Sequence, residues 1–211
     1  MIAHMARFIT IEGGEGAGKS TQIAWLQQLL DEADIPHVTT REPGGTPLGE
    51  AIRGLLLGDR HAGMSDDAEL LLMFAARAEH LAKVIHPALA TGQWVICDRF
   101  TDATYAYQGG GRGVPEDRIA EMERWCQGDF RPDLVVLLDI DPAVGLERVG
   151  RRGEKDRFER EARPFFERVR ATYLARARQV PERYLVVDAS RSIEEVRATI
   201  REGLRERLGV G

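Results

Sequence analysis

A glycine-rich stretch that ends in a lysine and a serine has the spacing of a phosphate-binding loop. Residues 13–20 read Gly-Gly-Glu-Gly-Ala-Gly-Lys-Ser, which fits the pattern G-x-x-x-x-G-K-[ST]. Glycines let the backbone curve so that successive N–H groups face phosphate oxygens, and the following helix adds its positive end. Lys19 is expected to reach the β- and γ-phosphates, and the Ser20 hydroxyl to ligate Mg²⁺. The predicted nucleoside triphosphate site comprises Gly13, Gly14, Glu15, Gly16, Ala17, Gly18, Lys19, Ser20 and Thr21.

A charged pair follows another apolar run of the chain. Asp98 and Arg99 come directly after Trp94–Cys97. A carboxylate at the end of a buried strand can hold a hydrated Mg²⁺ or position an acceptor, so Asp98 joins Ser20 as a candidate for the metal site. The planar guanidinium beside it suits phosphate oxygens. The alternative is a solvated Asp–Arg pair on the surface.

The elements that must position these residues follow from the alternation of short apolar runs with longer amphipathic ones. This alternation is typical of a parallel sheet covered by helices. Continuous aliphatic runs predict buried strands at Phe8–Ile11, His37–Thr40, Trp94–Cys97, Leu134–Ile140 and Tyr184–Val187. Helices are predicted near Lys19–Ala33, Pro47–Leu57, Ala68–Ala90, Pro115–Gln127, Ala143–Gly150, Arg163–Gln179 and Ile193–Leu208. The predicted fold class is α/β, with a five-stranded parallel sheet flanked by helices.

One helix and three glycine clusters carry more specific expectations. In Pro115–Gln127, the residues Ile119, Met122 and Trp125 recur at three-residue steps and predict a face in the core. Glycines cluster at 13–18, 44–45 and 109–113, which are interpreted as loops. Ligands of parallel α/β sheets bind at the carboxyl ends of strands, where the first cluster is placed.

Composition narrows the class of protein. The chain has 211 residues, with 29 basic and 34 acidic side chains and a net charge of −5, which argues against duplex nucleic acid as a partner. No apolar run approaches the roughly 20 residues that span a bilayer. The first residues lack the charged-then-apolar layout of a secretory signal, so a cytoplasmic protein is expected. Residues 6–211 are interpreted as one domain, and residues 1–5 as a cloning remnant or an alternative start. Cys97 and Cys126 are expected to be reduced thiols.

Several segments resemble those of bacterial thymidylate kinases. Phe8–Gln22 is followed, in the order of that family, by Arg41-Glu-Pro-Gly-Gly-Thr46, Ala75-Ala-Arg77, Asp98-Arg-Phe100 and Ala106-Tyr-Gln-Gly-Gly-Gly-Arg112. The resemblance covers nearly the whole chain after Met5. It implies the P-loop kinase fold and the transfer of a phosphoryl group from MgATP to dTMP, giving dTDP for dTTP biosynthesis. It also implies a homodimer.

The resemblance implies roles for residues around the acceptor's phosphate and sugar. Arg53 and Arg99 would hold the acceptor phosphate, and Glu12 would lie near the 3′-hydroxyl. Tyr107 would lie under the deoxyribose, where an added 2′-hydroxyl would clash. The turn 188–191 is a candidate for adenine contacts by its position in the family. The implied catalytic residues are Lys19, Asp98, Arg99 and Arg152.

The acceptor's base would be read by residues from two segments. The resemblance implies that Arg77 and Gln108 hydrogen-bond the base, with Thr104 near its N3 edge. Family members often carry a stacking Phe four residues before the arginine, where this chain has Met73. Phe74 is displaced by about 100° around the helix, so we expect Met73 to form one wall and Phe74 to lie in the core. The alternative is that both are core residues.

A cluster of arginines provides candidates for the cation that phosphoryl transfer requires. Negative charge spreads over the equatorial oxygens during the transfer, and the P-loop has Glu15 where an arginine would serve. Residues 148–160 are interpreted as a short mobile lid. Arg152 is the preferred catalytic candidate, and Arg148 and Arg151 are supporting contacts to ATP.

Other functions with the same loop remain as alternatives. The chain lacks the N-K-x-D pattern of many GTPases. A kinase for another monophosphate or for a deoxynucleoside is the nearest rival, although a nucleoside would not need both Arg53 and Arg99. A regulatory module that binds ATP without transfer would need neither the lid arginines nor a second pocket.

Overall fold

Five parallel strands form a single sheet in a computed structural model that describes residues 5–58, 63–150 and 156–210. The strands lie in the order β2-β3-β1-β4-β5. They are β1 (Phe8–Gly13), β2 (His37–Arg41), β3 (Trp94–Asp98), β4 (Leu134–Asp139) and β5 (Tyr184–Asp188). The predicted five-stranded parallel sheet is confirmed. Because β1 lies at its centre, the P-loop that follows β1 emerges at the middle of the carboxyl edge.

Helices cover both faces of the sheet. They are α1 (Lys19–Glu32), α2 (Pro47–Leu57), α3 (Asp66–His80), α4 (His86–Ala90), α5 (Thr101–Thr104), α6 (Glu116–Gln127), α7 (Pro142–Gly150), α8 (Arg163–Gln179) and α9 (Ile193–Leu208). Two π-helical segments, Leu81–Ile85 and Tyr105–Gly111, continue α3 and α5. The helix predicted over Ala68–Ala90 is therefore continuous and contains a π-helical segment. Among the described residues, no helix has the length and apolar character needed to cross a membrane.

The starts of two helices differ in a way that matters for the site. At α2, Thr46 accepts a hydrogen bond from the Gly49 N–H over 2.9 Å, and Pro47 occupies the first turn. At α1, Gly18 precedes the helix in the left-handed conformation, with φ of 88°, and supplies no side-chain cap. The first N–H groups of α1 are therefore left for a ligand.

The core lies on both faces of the central strands. Every residue of β1 is buried, as expected for a strand covered on both sides. One face packs on aliphatic residues of α1 and α9, including Leu26 and Ile200, and the other packs on aromatic residues of α8, including Phe166 and Tyr173. Both cysteines are free thiols.

The predicted core face of α6 is wrong at one residue. Ile119 is completely buried and Met122 is partly buried, but Trp125 is 80% exposed. Six residues turn a helix by about 600°, which leaves Trp125 about 120° away from Ile119. A strict three-residue step therefore drifts off the buried face.

The third glycine cluster is not the predicted loop, since helical structure continues through Gly111. A Cβ on Gly110 would lie 2.1 Å from the Thr172 hydroxyl oxygen, and one on Gly111 would lie 2.4 Å from the Phe165 ring. Both contacts are with α8. The glycines therefore allow two helical segments to approach closely, a role that local sequence does not reveal.

Candidate active site

One cleft of about 230 Å³ joins the two groups of predicted ligand-binding residues. It opens at the carboxyl ends of β1 and β3, where ligands of parallel sheets bind. On the P-loop side it is lined by Glu15, Gly16, Ala17, Gly18, Lys19, Ser20 and Thr21. On the other side it is lined by Arg53, Met73, Arg77, Asp98, Arg99, Thr104, Tyr107 and Gln108. Residues separated by most of the chain are thus brought to a single cavity.

The P-loop (residues 13–20) holds its lysine folded back along the loop. Lys19 donates from Nζ to the carbonyls of Gly13 and Gly14 over 3.3 and 3.2 Å. Burial, followed by the charge of Arg99, lowers the pKa of Lys19 below its ordinary value. Gly16 has a φ of +72°, and a Cβ there would lie 2.1 Å from the Gly145 carbonyl of α7. The loop therefore requires glycine at this position.

The proposed metal ligands are chemically suited to a hydrated Mg²⁺. Asp98 ends β3 and lines the cleft, and its Oδ1 is buried without a hydrogen-bond partner among the described residues. Ser20 lies in the first turn of α1 on the same cleft. Mg²⁺ in proteins keeps several waters and uses one or two side-chain oxygens together with substrate phosphates. An orphaned carboxylate oxygen beside a hydroxyl fits that requirement.

Arg99 is turned back towards the P-loop by a left-handed backbone. Its φ is 68°, which is uncommon outside glycine. The guanidinium donates to the Gly13 carbonyl over 3.0 Å and to Glu15 Oε1 over 2.5 Å. It also lies 4.7 Å from the Tyr107 ring centroid. A planar cation is therefore fixed between the nucleotide loop and the acceptor half of the cleft.

Glu12 does not occupy the position that the sequence suggested. It is completely buried within β1 behind the cleft wall, where the Phe100 N–H and the Tyr173 hydroxyl donate to its two oxygens over 2.7 and 2.8 Å. Burial, followed by the nearby charge of Asp102, raises the pKa of Glu12 to about 8. The predicted contact with a sugar hydroxyl is inconsistent with this placement, because β1 is covered on both faces.

The acidic residue beside Tyr107 on the cleft is Glu15. Tyr107 donates its phenolic proton to Glu15 Oε1 over 2.7 Å, and both residues line the cavity. Sequence reasoning assigned Glu15 only to the phosphate loop. Its place after the first two glycines, outside the buried strand, is the signal that separates it from Glu12.

The base side of the cleft presents one donor and one acceptor without partners. Arg77 donates from Nε to Glu42 over 2.8 Å and from Nη2 to Thr104 over 2.9 Å, whereas its Nη1 has no partner among the described residues. Gln108 donates from Nε2 to Glu69 over 2.8 Å, and its Oε1 is similarly unpartnered. Both residues are buried and line the cavity. The pair can satisfy a ligand with an adjacent acceptor and donor.

Sequence reasoning missed the network that holds Arg77. Glu42 is buried and binds Arg77 with one oxygen and His80 Nδ1 with the other, the latter over 2.9 Å. His80 Nε2 lies 2.6 Å from the Thr40 hydroxyl. Glu42 lies within the Arg-Glu-Pro-Gly-Gly-Thr motif, which was the available signal. The contact across 35 positions had no local signature.

Near Arg77 on α3, a methionine lines the cleft and a phenylalanine lies in the core. Met73 lines the cleft, and Phe74 is buried with its ring 4.9 Å from the Arg77 guanidinium carbon. Arg53 also lines the cleft and donates to the Pro43 carbonyl over 3.1 Å. Its guanidinium pKa is lowered, first by burial and then by the charge of Arg41.

The predicted lid is described only in part. Arg148 donates to the Ala189 carbonyl over 3.1 Å and to the Gly16 carbonyl over 3.4 Å, which ties the P-loop to the turn after β5. Arg151 and Arg152 lie outside the described residues. Beyond them, Asp156, Phe158 and Glu159 line the cleft.

The chain is similar to thymidylate kinases in sequence and in fold. The sequence profile of the thymidylate kinase family matches residues 11–200. A thymidylate kinase of Halorhodospira halophila is 56% identical over 206 residues, covering 97% of this chain and 96% of that protein. One of Chromohalobacter salexigens is 58% identical over 204 residues, covering 96% of each. The crystal structure of thymidylate kinase from Ehrlichia chaffeensis superposes with a TM-score of 0.77 at 34% identity, covering 95% of this chain and 98% of that one.

Proposed function

Because this chain belongs to the thymidylate kinase family, we infer that it phosphorylates dTMP to dTDP, a step of dTTP biosynthesis, with ATP as the phosphoryl donor. The observation that carries this function is the single cleft, in which a P-loop faces a second set of cationic and base-reading side chains. A donor and an acceptor bound there would lie end to end. Such placement supplies most of what phosphoryl transfer needs, since the protein's contribution is positioning and charge stabilisation.

On the donor side, the P-loop N–H groups and Lys19 bind the phosphates of ATP. Displacing the lysine from the carbonyls of Gly13 and Gly14 frees its ammonium for the β- and γ-phosphates. Ser20 and Asp98 hold Mg²⁺, which neutralises phosphate charge when it is bound. Arg148, beside Gly16 and Ala189, borders this site.

On the acceptor side, Arg53 and Arg99 bind the phosphate of dTMP. Both guanidinium groups line the cleft, and Arg99 lies next to the P-loop that holds the donor. Tyr107 and Glu15 form the surface for the deoxyribose, where Glu15 takes the role that was first expected of Glu12. The hydrogen bond between these two side chains holds Tyr107 in place, and an added 2′-hydroxyl would clash with its ring.

The thymine base is recognised because its acceptor and donor atoms complement a donor of Arg77 and an acceptor of Gln108. The free Nη1 donor of Arg77 suits a carbonyl oxygen of thymine, and the free Oε1 acceptor of Gln108 suits its N3–H. Thr104 accepts a hydrogen bond from Arg77 and also lines the cleft. Met73 provides an adaptable apolar wall.

An arginine of residues 148–160 supplies the cation that stabilises the transition state, with Arg152 as the preferred candidate and Arg151 as its neighbour in support. The support for this proposal is the absence of an arginine from the P-loop sequence, because spreading negative charge on the transferred group calls for one.

The protein acts as a homodimer in the cytoplasm. Leu71 on α3 is 56% exposed and Trp125 on α6 is 80% exposed, and these two helices pack against each other. Large exposed apolar side chains are a feature of interaction surfaces. Light scattering at several concentrations tests this proposal, and Trp125→Glu should shift the protein towards the monomer.

A coupled assay of ADP release tests the function. Turnover is compared with dTMP, dUMP, dCMP, AMP, thymidine or no acceptor, and dTMP should be the best substrate. Discrimination against dUMP should be modest, because one methyl group is worth about 1–3 kcal/mol in a pocket. Lys19→Ala should abolish turnover while circular dichroism shows an intact fold. Faster turnover with another monophosphate, or with thymidine, would reject the proposal.

A further inference from the structure

A buried carboxylate stands behind the base side of the cleft without lining it. The Glu69 side chain, on α3, is 1% exposed. Its Oε1 accepts from Gln108 Nε2 over 2.8 Å and from Arg112 Nε over 3.4 Å. Its Oε2 pairs with Arg157 Nη2. Among the described residues that Glu69 contacts through these bonds, Gln108 is the one that lines the cleft.

The chemistry of this contact fixes the orientation of the Gln108 amide. An amide side chain has a donor end and an acceptor end, whereas an ionised carboxylate only accepts. With Glu69 paired to two guanidinium groups, Nε2 of Gln108 must face the carboxylate and Oε1 must face away. This Oε1 is buried and has no partner among the described residues. The atom of Gln108 that is left for a ligand is therefore an acceptor.

We propose that Glu69 is a positioning residue that determines base specificity, by holding Gln108 with its oxygen towards the bound base. This role rests on the proposed function. Thymine offers an N3–H donor flanked by carbonyl oxygens, whereas cytosine offers an N3 lone pair beside an amino group. The oxygen of a held Gln108 pairs with the first pattern and faces a lone pair in the second. Repulsion of this kind is an effective way to reject a competing ligand.

The other residue assigned to the base, Arg77, is held by a second carboxylate and offers a donor. Glu42 and Thr104 accept from Nε and Nη2 of Arg77, which leaves Nη1 as a donor. A donor suits the O4 atom of thymine and opposes the amino group that cytosine carries at the same place. Arginine cannot reverse its polarity, but glutamine can do so by rotating its amide. Of Arg77 and Gln108, Glu69 therefore controls the residue whose hydrogen-bonding orientation is not fixed by its own chemistry.

The substitution Glu69→Gln tests this role, because an amide at position 69 can donate to Gln108 and allow it to turn over. At saturating ATP, the ratio of kcat/KM for dTMP to that for dCMP should fall about tenfold or more, mainly through KM. Glu123→Gln is the matched control. Glu123 is a buried carboxylate that accepts from the Tyr105 hydroxyl over 2.6 Å and does not line the cleft. It should lower Tm and leave the ratio unchanged.

A double-mutant cycle separates positioning from a general loss of structure. In a Gln108→Leu background, Glu69→Gln should no longer change the ratio, because the residue through which it acts is gone. If Glu69→Gln does not fold, Glu69→Asp serves instead, since it keeps the charge beside Arg112 and Arg157 while withdrawing the carboxylate by about 1.5 Å. That variant should also lower the ratio.

The outcomes distinguish this role from the proposed function. A wild-type enzyme that prefers dTMP, together with folded Glu69 variants that keep its ratio, would overturn the role of Glu69 alone. Persistence of the Glu69→Gln effect in the Gln108→Leu background would overturn it as well. A wild-type enzyme with equal kcat/KM for dCMP and dTMP would overturn the proposed function and this inference together.

Discussion

Arg99 donates from Nη2 to Oε1 of Glu15 over 2.5 Å, an ion pair that joins the residue after β3 to the P-loop. Both side chains are largely buried. In the proposed function, the acceptor phosphate would share, or take over, a guanidinium that already has a carboxylate partner. The geometry of the planar fork is what makes this exchange possible.

Replacing this fork by a point charge should weaken binding of the acceptor's phosphate. Arg99→Lys should raise the KM for dTMP about tenfold or more, since hydrogen bonds to charged groups contribute about 1.5–3 kcal/mol. Inhibition by thymidine, which lacks the phosphate, should change little. Steady-state kinetics with both ligands measures the difference. Arg170→Lys is the control, because Arg170 makes a bidentate pair with Asp139 and does not line the cleft. Equal effects of the two variants would contradict the assignment.

Loss of the proposed catalytic cation should affect the rate more than binding. Arg152→Ala should lower kcat by several orders of magnitude, with a smaller rise in the KM for dTMP, as expected for a contact made mainly in the transition state. Single-turnover measurements give the chemical step directly. Arg163→Ala, which removes an exposed arginine paired with Glu167 on α8, should be neutral. A loss confined to KM would place Arg152 in binding only.

The raised pKa of Glu12 predicts that stability declines as pH rises. The folded protein keeps a proton on Glu12 between the ordinary value of 4.5 and about 8, whereas the unfolded chain loses it. Unfolding therefore becomes easier across this interval. Glu12→Gln imitates the neutral acid, so its Tm should fall less than that of the wild type between about pH 5.5 and about pH 8.5.

A surface carboxylate with the opposite shift provides the control for this measurement. Hydrogen bonds from the side chain and then the backbone of Ser192 lower the pKa of Glu195. Its contribution to stability is lost only as pH falls below the ordinary value of 4.5. Glu195→Gln should therefore leave the fall of Tm between about pH 5.5 and about pH 8.5 unchanged. If Glu12→Gln also left that fall unchanged, Glu12 would not be the titrating group.

The close contact between Gly110 and α8 should not tolerate a methyl group. Gly110→Ala would place a Cβ 2.1 Å from the Thr172 hydroxyl, and such overpacking costs about 1–3 kcal/mol. A fall in Tm of roughly 2–4 °C per kcal/mol is expected for a chain of this size. Gly54→Ala in α2 meets open space and should be neutral or stabilising. Additional Thr172→Ala should recover part of the loss.

The sheet and the phosphate loop could be predicted from the sequence because their signals are local. Aliphatic runs such as Leu134–Asp139 mark strands that are buried on both faces, and the spacing of glycines with Lys19 marks the loop. Each signal depends on residues within one element. The convergence of remote segments at one edge follows from a known regularity of parallel sheets, whose ligands bind at the carboxyl ends of the strands.

The sequence-based predictions failed for features that tertiary contacts determine. Glu12 and Glu15 are three positions apart, but only the packing on both faces of β1 shows that Glu12 is buried behind the cleft. The helical path of residues 105–111 depends on the surface of α8. The partners of Arg77 and Gln108 lie 35 and 39 positions away. Local residue types indicate what a side chain can donate or accept, but not which partner leaves it available.

The placement of β1 has a consequence for the emergence of this chain from the ribosome. β1 is synthesised first, yet its neighbours in the sheet begin at Trp94 and Leu134. The edge that pairs with β3 must therefore wait until Asp98 has been added, and the edge that pairs with β4 until Asp139 has been added. Pairings between such distant segments form slowly. Until then the nascent N-terminal strand is an unpaired apolar segment. The nucleotide loop is consequently made before the two strands that hold β1 in place.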